Sequence, residues 1–336
     1  MWRNARWKTR ICLGRRASEG AVEMNRMRMI IWLVAGILAF VAPAFPKETV
    51  DEGQGQAIVT ILPKNNRIAL GTISQKDLRI KVNGHESNIT GWVPLRGSES
   101  DIEIVILIDG SARTSLGLQL GDIENFIRNL PEHVKVVVGY MNAGRAVMTG
   151  PLSMDHAQVA DQLHLPGGSA GSSGSPYFCL SNLAKNWPSK DASARREVVM
   201  ITNGIDNYYP RFDPLDPYVN AAINNSVRAR MVIYSIYWRG KGRFPKSMRG
   251  FDGQSQLARL SKATGGISYW QGSREPVSFV PYFKDIALRI RNQYRLSFSS
   301  QLGGKPEVQN MSVKVIGPEV DISAPQRVFV GNSSED

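Results

Sequence analysis

An apolar run that ends in an acid constrains this chain more than any other stretch: Ile104-Val105-Ile106-Leu107-Ile108-Asp109-Gly110-Ser111. Five consecutive aliphatic residues read as a strand buried on both faces, as in parallel sheets covered by helices. The strand stops at Asp109, and Gly110 allows a sharp turn after it. A second run has the same shape: Val198-Val199-Met200-Ile201-Thr202-Asn203-Gly204-Ile205-Asp206. Open α/β sheets bind ligands at the carboxyl ends of their strands. The two runs therefore deliver Asp109, Ser111, Thr202, Asn203 and Asp206 to one rim, and that rim is the candidate site.

The first fifty residues stand apart from this core. Residues 1–28 carry eight Lys/Arg and two Glu, a basic leader or cytoplasmic extension. The uncharged stretch Met29–Val41 and the A-x-A pattern Ala42-Pro43-Ala44 follow Arg26 and Arg28, so residues 29–44 read as a secretory signal peptide. Retained, the same stretch would be an N-terminal membrane anchor, although it is short for a span. The leader holds half of the formal net charge of +12. The remainder falls short of a nucleic-acid-binding signature. Cys12 lies in the leader, which leaves Cys179 alone in the exported part with no internal disulfide partner. Its neighbours Tyr177, Phe178, Leu180 and Leu183 make it a buried filler rather than a nucleophile.

Residues 55–98 read as a β module with strands Ala57–Leu62, Leu78–Val82 and Ile89–Val93, and Asn83-Gly84 is a strong hairpin signal. Strands and helices alternate over residues 101–293. The strands are Glu103–Ile108, Val134–Tyr140, Arg145–Thr149, Glu197–Thr202, Arg230–Tyr237 and Ile267–Tyr269. Helical spacing is clearest for Ile123, Phe126, Ile127 and Leu130, and for Phe283, Ile286 and Ile290. Such alternation predicts an α/β fold with a doubly wound, mostly parallel sheet. Residues 294–331 return to strands (Tyr294–Ser299, Met311–Ile316, Arg327–Val330). They are expected to pack with the N-terminal strands, since neither group can stand alone.

The order of these pieces resembles a von Willebrand factor type A domain. Carrying the resemblance are strand–Asp109-Gly110-Ser111–helix, a Gly/Ser loop before a helix, Val199–Asn207, and Ala263-Thr264-Gly265-Gly266 before a last strand. Gln75–Ile80 and Val82-Asn83-Gly84-His85 look like the lead-in of the bacterial secreted, VWFA-related variety described from acidobacteria. The resemblance implies a metal-ion-dependent adhesion site holding Mg²⁺ or another divalent cation. Its ligands here would be Asp109, Ser111, Ser175 and Asn203, with Ser172 or Ser173 as alternatives to Ser175.

This chain departs from that pattern. Asp109-x-Ser111-x-Arg113 replaces Asp-x-Ser-x-Ser, and Asn203-Gly204 replaces Asp-Gly. Mg²⁺ wants hard oxygens with carboxylates to offset its charge. The departures thus leave a second reading, a degenerate site in which the Arg113 guanidinium pairs with Asp109 in place of the cation.

Other motifs are weaker. Gly167-Gly168-Ser169-Ala170-Gly171 has the G-x-S-x-G form, but no strand precedes it. All four histidines precede Ser169, which excludes the hydrolase chain order. The segment Trp238–Phe251 holds five cations, no acid and three aromatics, and it leaves the carboxyl end of a strand. Together with Asp206–Pro217 it outlines a recognition surface: Arg113, Asp206, Tyr208, Tyr209, Trp238, Arg239, Lys241 and Arg243. The expected function is an exported, non-catalytic binding module for a protein or glycan ligand, anionic where the basic loop meets it. A membrane-anchored scaffold and a metal-dependent enzyme are the alternatives.

Overall fold

The computed structural model describes residues 52–64, 73–97, 101–209, 213, 215–241, 249–272, 274–302, 305–317 and 319–332. The basic leader, the signal or anchor segment, and Arg243 with most of the basic loop lie outside the described residues.

A six-stranded sheet occupies the middle of the chain, in the order β10-β9-β8-β5-β6-β7. These strands are β5 (Ile102–Asp109), β6 (Val134–Asn142), β7 (Arg145–Met148), β8 (Arg195–Thr202), β9 (Met231–Tyr237) and β10 (Ser268–Tyr269). All neighbours run parallel except β7, which folds back on β6 as an antiparallel edge. Every residue of β5 is buried, and alternate side chains go to opposite layers. Ile104, Ile106 and Ile108 pack with α1 (Leu120–Arg128) and α6 (Val280–Ile290). Val105 and Leu107 pack with α3 (Pro176–Lys185), α4 (Pro217–Arg228) and α5 (Arg249–Thr264). Two apolar faces on one strand are what an uninterrupted aliphatic run supplies. The short helix α2 (His156–Asp161) lies beside α1.

The chain leaves β5 towards β6 and returns to β8 on the other side. The strand order therefore switches at β5, and the crevice expected of a doubly wound sheet opens at the carboxyl ends of β5 and β8.

A second, antiparallel sheet joins the two ends of the described chain. Its strands are β1 (Glu52–Pro63), β2 (Leu78–Val82), β3 (His85–Glu86), β4 (Asn88–Pro94), β11 (Gln293–Gln301), β12 (Glu307–Val315), β13 (Val320–Ser323) and β14 (Arg327–Asn332). β11 lies between β1 and β4, β14 pairs with β1 and β12, and β2 pairs with β12. The N-terminal and C-terminal strands thus share one core of Val59, Ile61, Leu78, Leu296, Phe298 and Val330. Asn83 and Gly84 both take positive φ between β2 and β3, as a tight hairpin requires.

Two features differ from the sequence expectation. β1 begins at Glu52 instead of Ala57, although Glu52–Gln56 is polar and glycine-rich. Its partner explains the extension: the Phe298 ring lies where a Cβ on Gly55 would sit, 2.4 Å from Cζ. β13 carries no strand signal of its own in the sequence; its four residues form a strand against Thr60–Pro63 of β1.

Candidate functional site

Asp109 ends β5 with its carboxyl turned into the protein and is 1% exposed. Gly110 follows because the backbone passes too close to β6 for a side chain; a Cβ there would meet Met141 O at 2.3 Å. Oδ1 of Asp109 accepts from Ser111 N at 2.8 Å and from Ser111 Oγ at 2.7 Å. Oδ2 accepts from Thr202 Oγ1, at the end of β8, at 2.6 Å. The Ser111 hydroxyl also lies 3.4 Å from Ser173 Oγ. A hydrogen-bonded row, Thr202–Asp109–Ser111–Ser173, therefore ties three loops together at the carboxyl end of the sheet.

Ser175 belongs to a separate pair. Its side chain caps α3, accepting from Phe178 N, and donates to Asp206 Oδ2 at 2.9 Å. The other oxygen of Asp206 accepts from Tyr208 N at 2.8 Å and Tyr209 N at 3.2 Å. Burial raises the Asp206 pKa, and the hydrogen bonds from Ser175 and the two backbone amides partly counter it. Of the serines weighed for the second loop, the structure brings Ser173 to Ser111 and gives Ser175 to Asp206.

Asn203 follows β8 and keeps its side chain within its own loop. Its Oδ1 accepts from Ile205 N at 2.8 Å. Gly240 lies directly over it, and a Cβ on Gly240 would meet Asn203 Nδ2 at 2.4 Å.

Two cations flank the row without touching Asp109. Arg113 does not pair with it as the degenerate-site reading expected. Its Nε donates to Gly240 O at 3.1 Å and its backbone N–H to Arg239 O at 3.0 Å. The reason is steric and electrostatic: Ser111 and Thr202 already fill the Asp109 oxygens, and the loop carries Arg113 outwards to segment 239–241. Lys241 closes the arrangement, its N–H donating to Ser111 O at 2.7 Å. Its Nζ donates to Gly168 O at 2.6 Å and Pro166 O at 3.2 Å. The glycine-rich loop is thereby clamped by a lysine, an arrangement for which the sequence holds no local signal, since the partners are 73 residues apart.

The proposed recognition residues divide sharply. Trp238 is 2% exposed and packs edge-on against Phe279, so it belongs to the core and is unavailable to a partner. In the sequence Trp238 opens a basic loop, but its N–H still donates to Thr202 O at the end of β8, and this holds the ring in the core. Asp206 is likewise buried, and its oxygens are used internally. Tyr208 is 58% exposed, its ring edge-on to Phe178. Tyr209 is half-buried against Tyr218, and Arg113, Arg239 and Lys241 are also half-buried.

The donor set can be tested against a divalent cation. Ser111 and Ser173 offer adjacent hydroxyls, but Asp109 is the one carboxylate in the row. Among the described residues no group of three or more His, Cys, Asp and Glu side chains is placed to hold a metal. With one carboxylate and two hydroxyls, the row is short of the carboxylates that usually offset the charge of Mg²⁺.

No family model matches the chain, and no curated protein does. Solved structures give distant likenesses. One is an aerotolerance-related membrane protein from Bacteroides fragilis: 15% identity, 56% of this chain and 98% of that chain covered, TM-score 0.39. Manganese-loaded TRAP protein from Plasmodium vivax gives 13% identity, 70% and 95% coverage, and a TM-score of 0.40. The SpRpn10 VWA domain gives 13% identity, 50% and 87% coverage, and a TM-score of 0.32. At such identities the likeness concerns the fold alone.

Proposed function

We propose that this protein is an exported, non-catalytic recognition module of the von Willebrand factor A type whose rim binds a protein partner without a bridging cation. The observation that carries the reading is the closed hydrogen-bond row around Asp109. Both carboxyl oxygens are engaged inside the protein, while Arg113 and Lys241 hold backbone carbonyls of the neighbouring loops. The surface left for a partner is Tyr208 with the half-buried Tyr209, Arg239, Lys241 and Arg113, an aromatic and basic set suited to protein recognition. The non-catalytic reading rests on the histidines nearest in sequence to the glycine-rich loop. His156 Nε2 is bonded to Val134 O, and His164 stacks on Tyr140; neither makes a hydrogen bond to Asp109. Export rests on the Met29–Ala44 pattern, while among the described residues no helix is long and apolar enough to cross a membrane.

Thermal melting with millimolar MgCl₂ or MnCl₂ tests the cation. The wild type should show no shift, because a ligand that does not bind the folded state cannot stabilise it. Arg113→Ser combined with Asn203→Asp restores two carboxylates and the missing hydroxyl, and should gain a response. A wild-type shift abolished by Asp109→Ala would overturn the proposal. Mass spectrometry of the mature N-terminus should find it near Phe45; intact protein beginning before Met29 in the membrane fraction would favour an anchored scaffold.

A further inference from the structure

Far from the rim, at the amino ends of the parallel strands, a cavity of about 340 Å³ separates the two sheets. Four arginines line it. Arg195 opens β8 and Arg230 precedes β9, while Arg295 on β11 and Arg327 on β14 face them from the antiparallel sheet. No carboxylate lines it, and its apolar walls include Ile58 and Val232. Arg230 is solvent-exposed, so the cavity can be reached from outside.

Arg195 is buried, donates to Ile290 O and Gln293 Oε1, and has Glu197 beneath it. Burial lowers the Arg195 pKa, and the nearby Arg295 charge adds to that effect. Arg295 donates to Ser193 O, and among the described residues neither Arg295 nor Arg327 forms an ion pair with a carboxylate. Nε of Arg327 is buried without a hydrogen-bond partner among the described residues. A buried donor on a cation is costly to leave unmatched. Guanidinium forks match carboxylate and phosphoryl oxygens two at a time, and the volume suits a small organic molecule.

We propose that this cavity binds a small polyanion bearing two or more carboxylate or phosphoryl groups, gripped by Arg195 and Arg230 from one sheet and Arg295 and Arg327 from the other. The ligand would then fasten the β module to the α/β sheet. This site shares no residue with the rim, so its failure leaves the recognition reading intact.

Citrate and pyrophosphate serve as probes, each compared with sodium chloride at matched ionic strength. Melting of the full chain in 10 mM probe should rise by about 2–5 °C above the salt control. A larger rise with citrate points to a carboxylate ligand, and a larger rise with pyrophosphate to a phosphoryl one. Arg295→Gln and Arg327→Gln should each cut the rise by half or more. A second measurement covers variants that fail to fold: phenylglyoxal labelling of wild type, mapped by mass spectrometry, should be slowed at Arg295 and Arg327 by the probe that stabilises. No rise above salt with either probe overturns the proposal. So does a rise that both folded variants retain in full, or labelling at Arg295 and Arg327 that the probe leaves unchanged.

Discussion

Thr202 Oγ1 donates to Asp109 Oδ2 at 2.6 Å and thereby locks the carboxyl ends of β8 and β5 together. Both groups are out of water, and Ser111 takes the other carboxyl oxygen. The Asp109 side chain is thus first a brace between loops. Its role at the rim depends on the groups it holds in place.

Thr202→Val should cost about 1–3 kcal/mol, because it keeps the shape but leaves an Asp109 lone pair unmatched in a buried site. Asp109→Ala should cost at least as much, since it strands both hydroxyls. Together the two changes should cost less than their sum, giving a coupling above about 0.5 kcal/mol in urea unfolding. Strict additivity would show that the bond is not formed in solution.

The pH dependence of stability should carry the mark of Glu197. This carboxyl is fully buried in β8, and burial pushes its pKa up to about 7 although the Arg195 charge and the Gln293 side chain both favour the ionised form. The folded value lies above the unfolded one, so the folded chain prefers the protonated form. That preference is fully present below about pH 4 and is lost as pH rises towards 7, on the order of 3 kcal/mol. Glu197→Gln should flatten the decline between about pH 4.5 and 7. An unchanged slope in that variant would remove Glu197 as its source.

Gly55→Val should destabilise the β module by about 1–3 kcal/mol, because the new side chain meets the Phe298 ring in a filled core. Pairing it with Phe298→Leu should recover part of the loss. Equal melting temperatures for wild type and Gly55→Val would mean that β1 does not pack there as described.

Cys179 should be inert in the native state. It is buried, with Sγ 3.5 Å from Ser173 O, and burial, reinforced by Asp109, pushes the thiol up to about 12. A thiol-disulfide reagent at pH 8 should label Cys179 only after urea is added, as read by peptide mass spectrometry. Rapid native labelling would place α3 differently.

The sequence alone determined the parallel sheet and the place where it ends. Ile104–Ile108 and Val198–Ile201 have no polar face, so they can only be strands covered on both sides, and Asp109 and Thr202 then fall at the rim. Periodicity also reached the pairing of the chain's two groups of outer strands, because each lacked enough apolar surface to stand alone. What periodicity cannot carry is distance between loops. Only the tertiary structure decided that Ser173, not Ser175, meets Ser111, that Arg113 turns to Gly240 and not to Asp109, and that Lys241 clamps Gly168. It also buried Trp238 beside Phe279 and drew the polar residues 52–56 into a strand. Hydrophobic pattern fixes which face of an element turns inwards. A hydroxyl or guanidinium has a choice of acceptors, and that choice is made by which of them the packed elements bring within 3 Å or so.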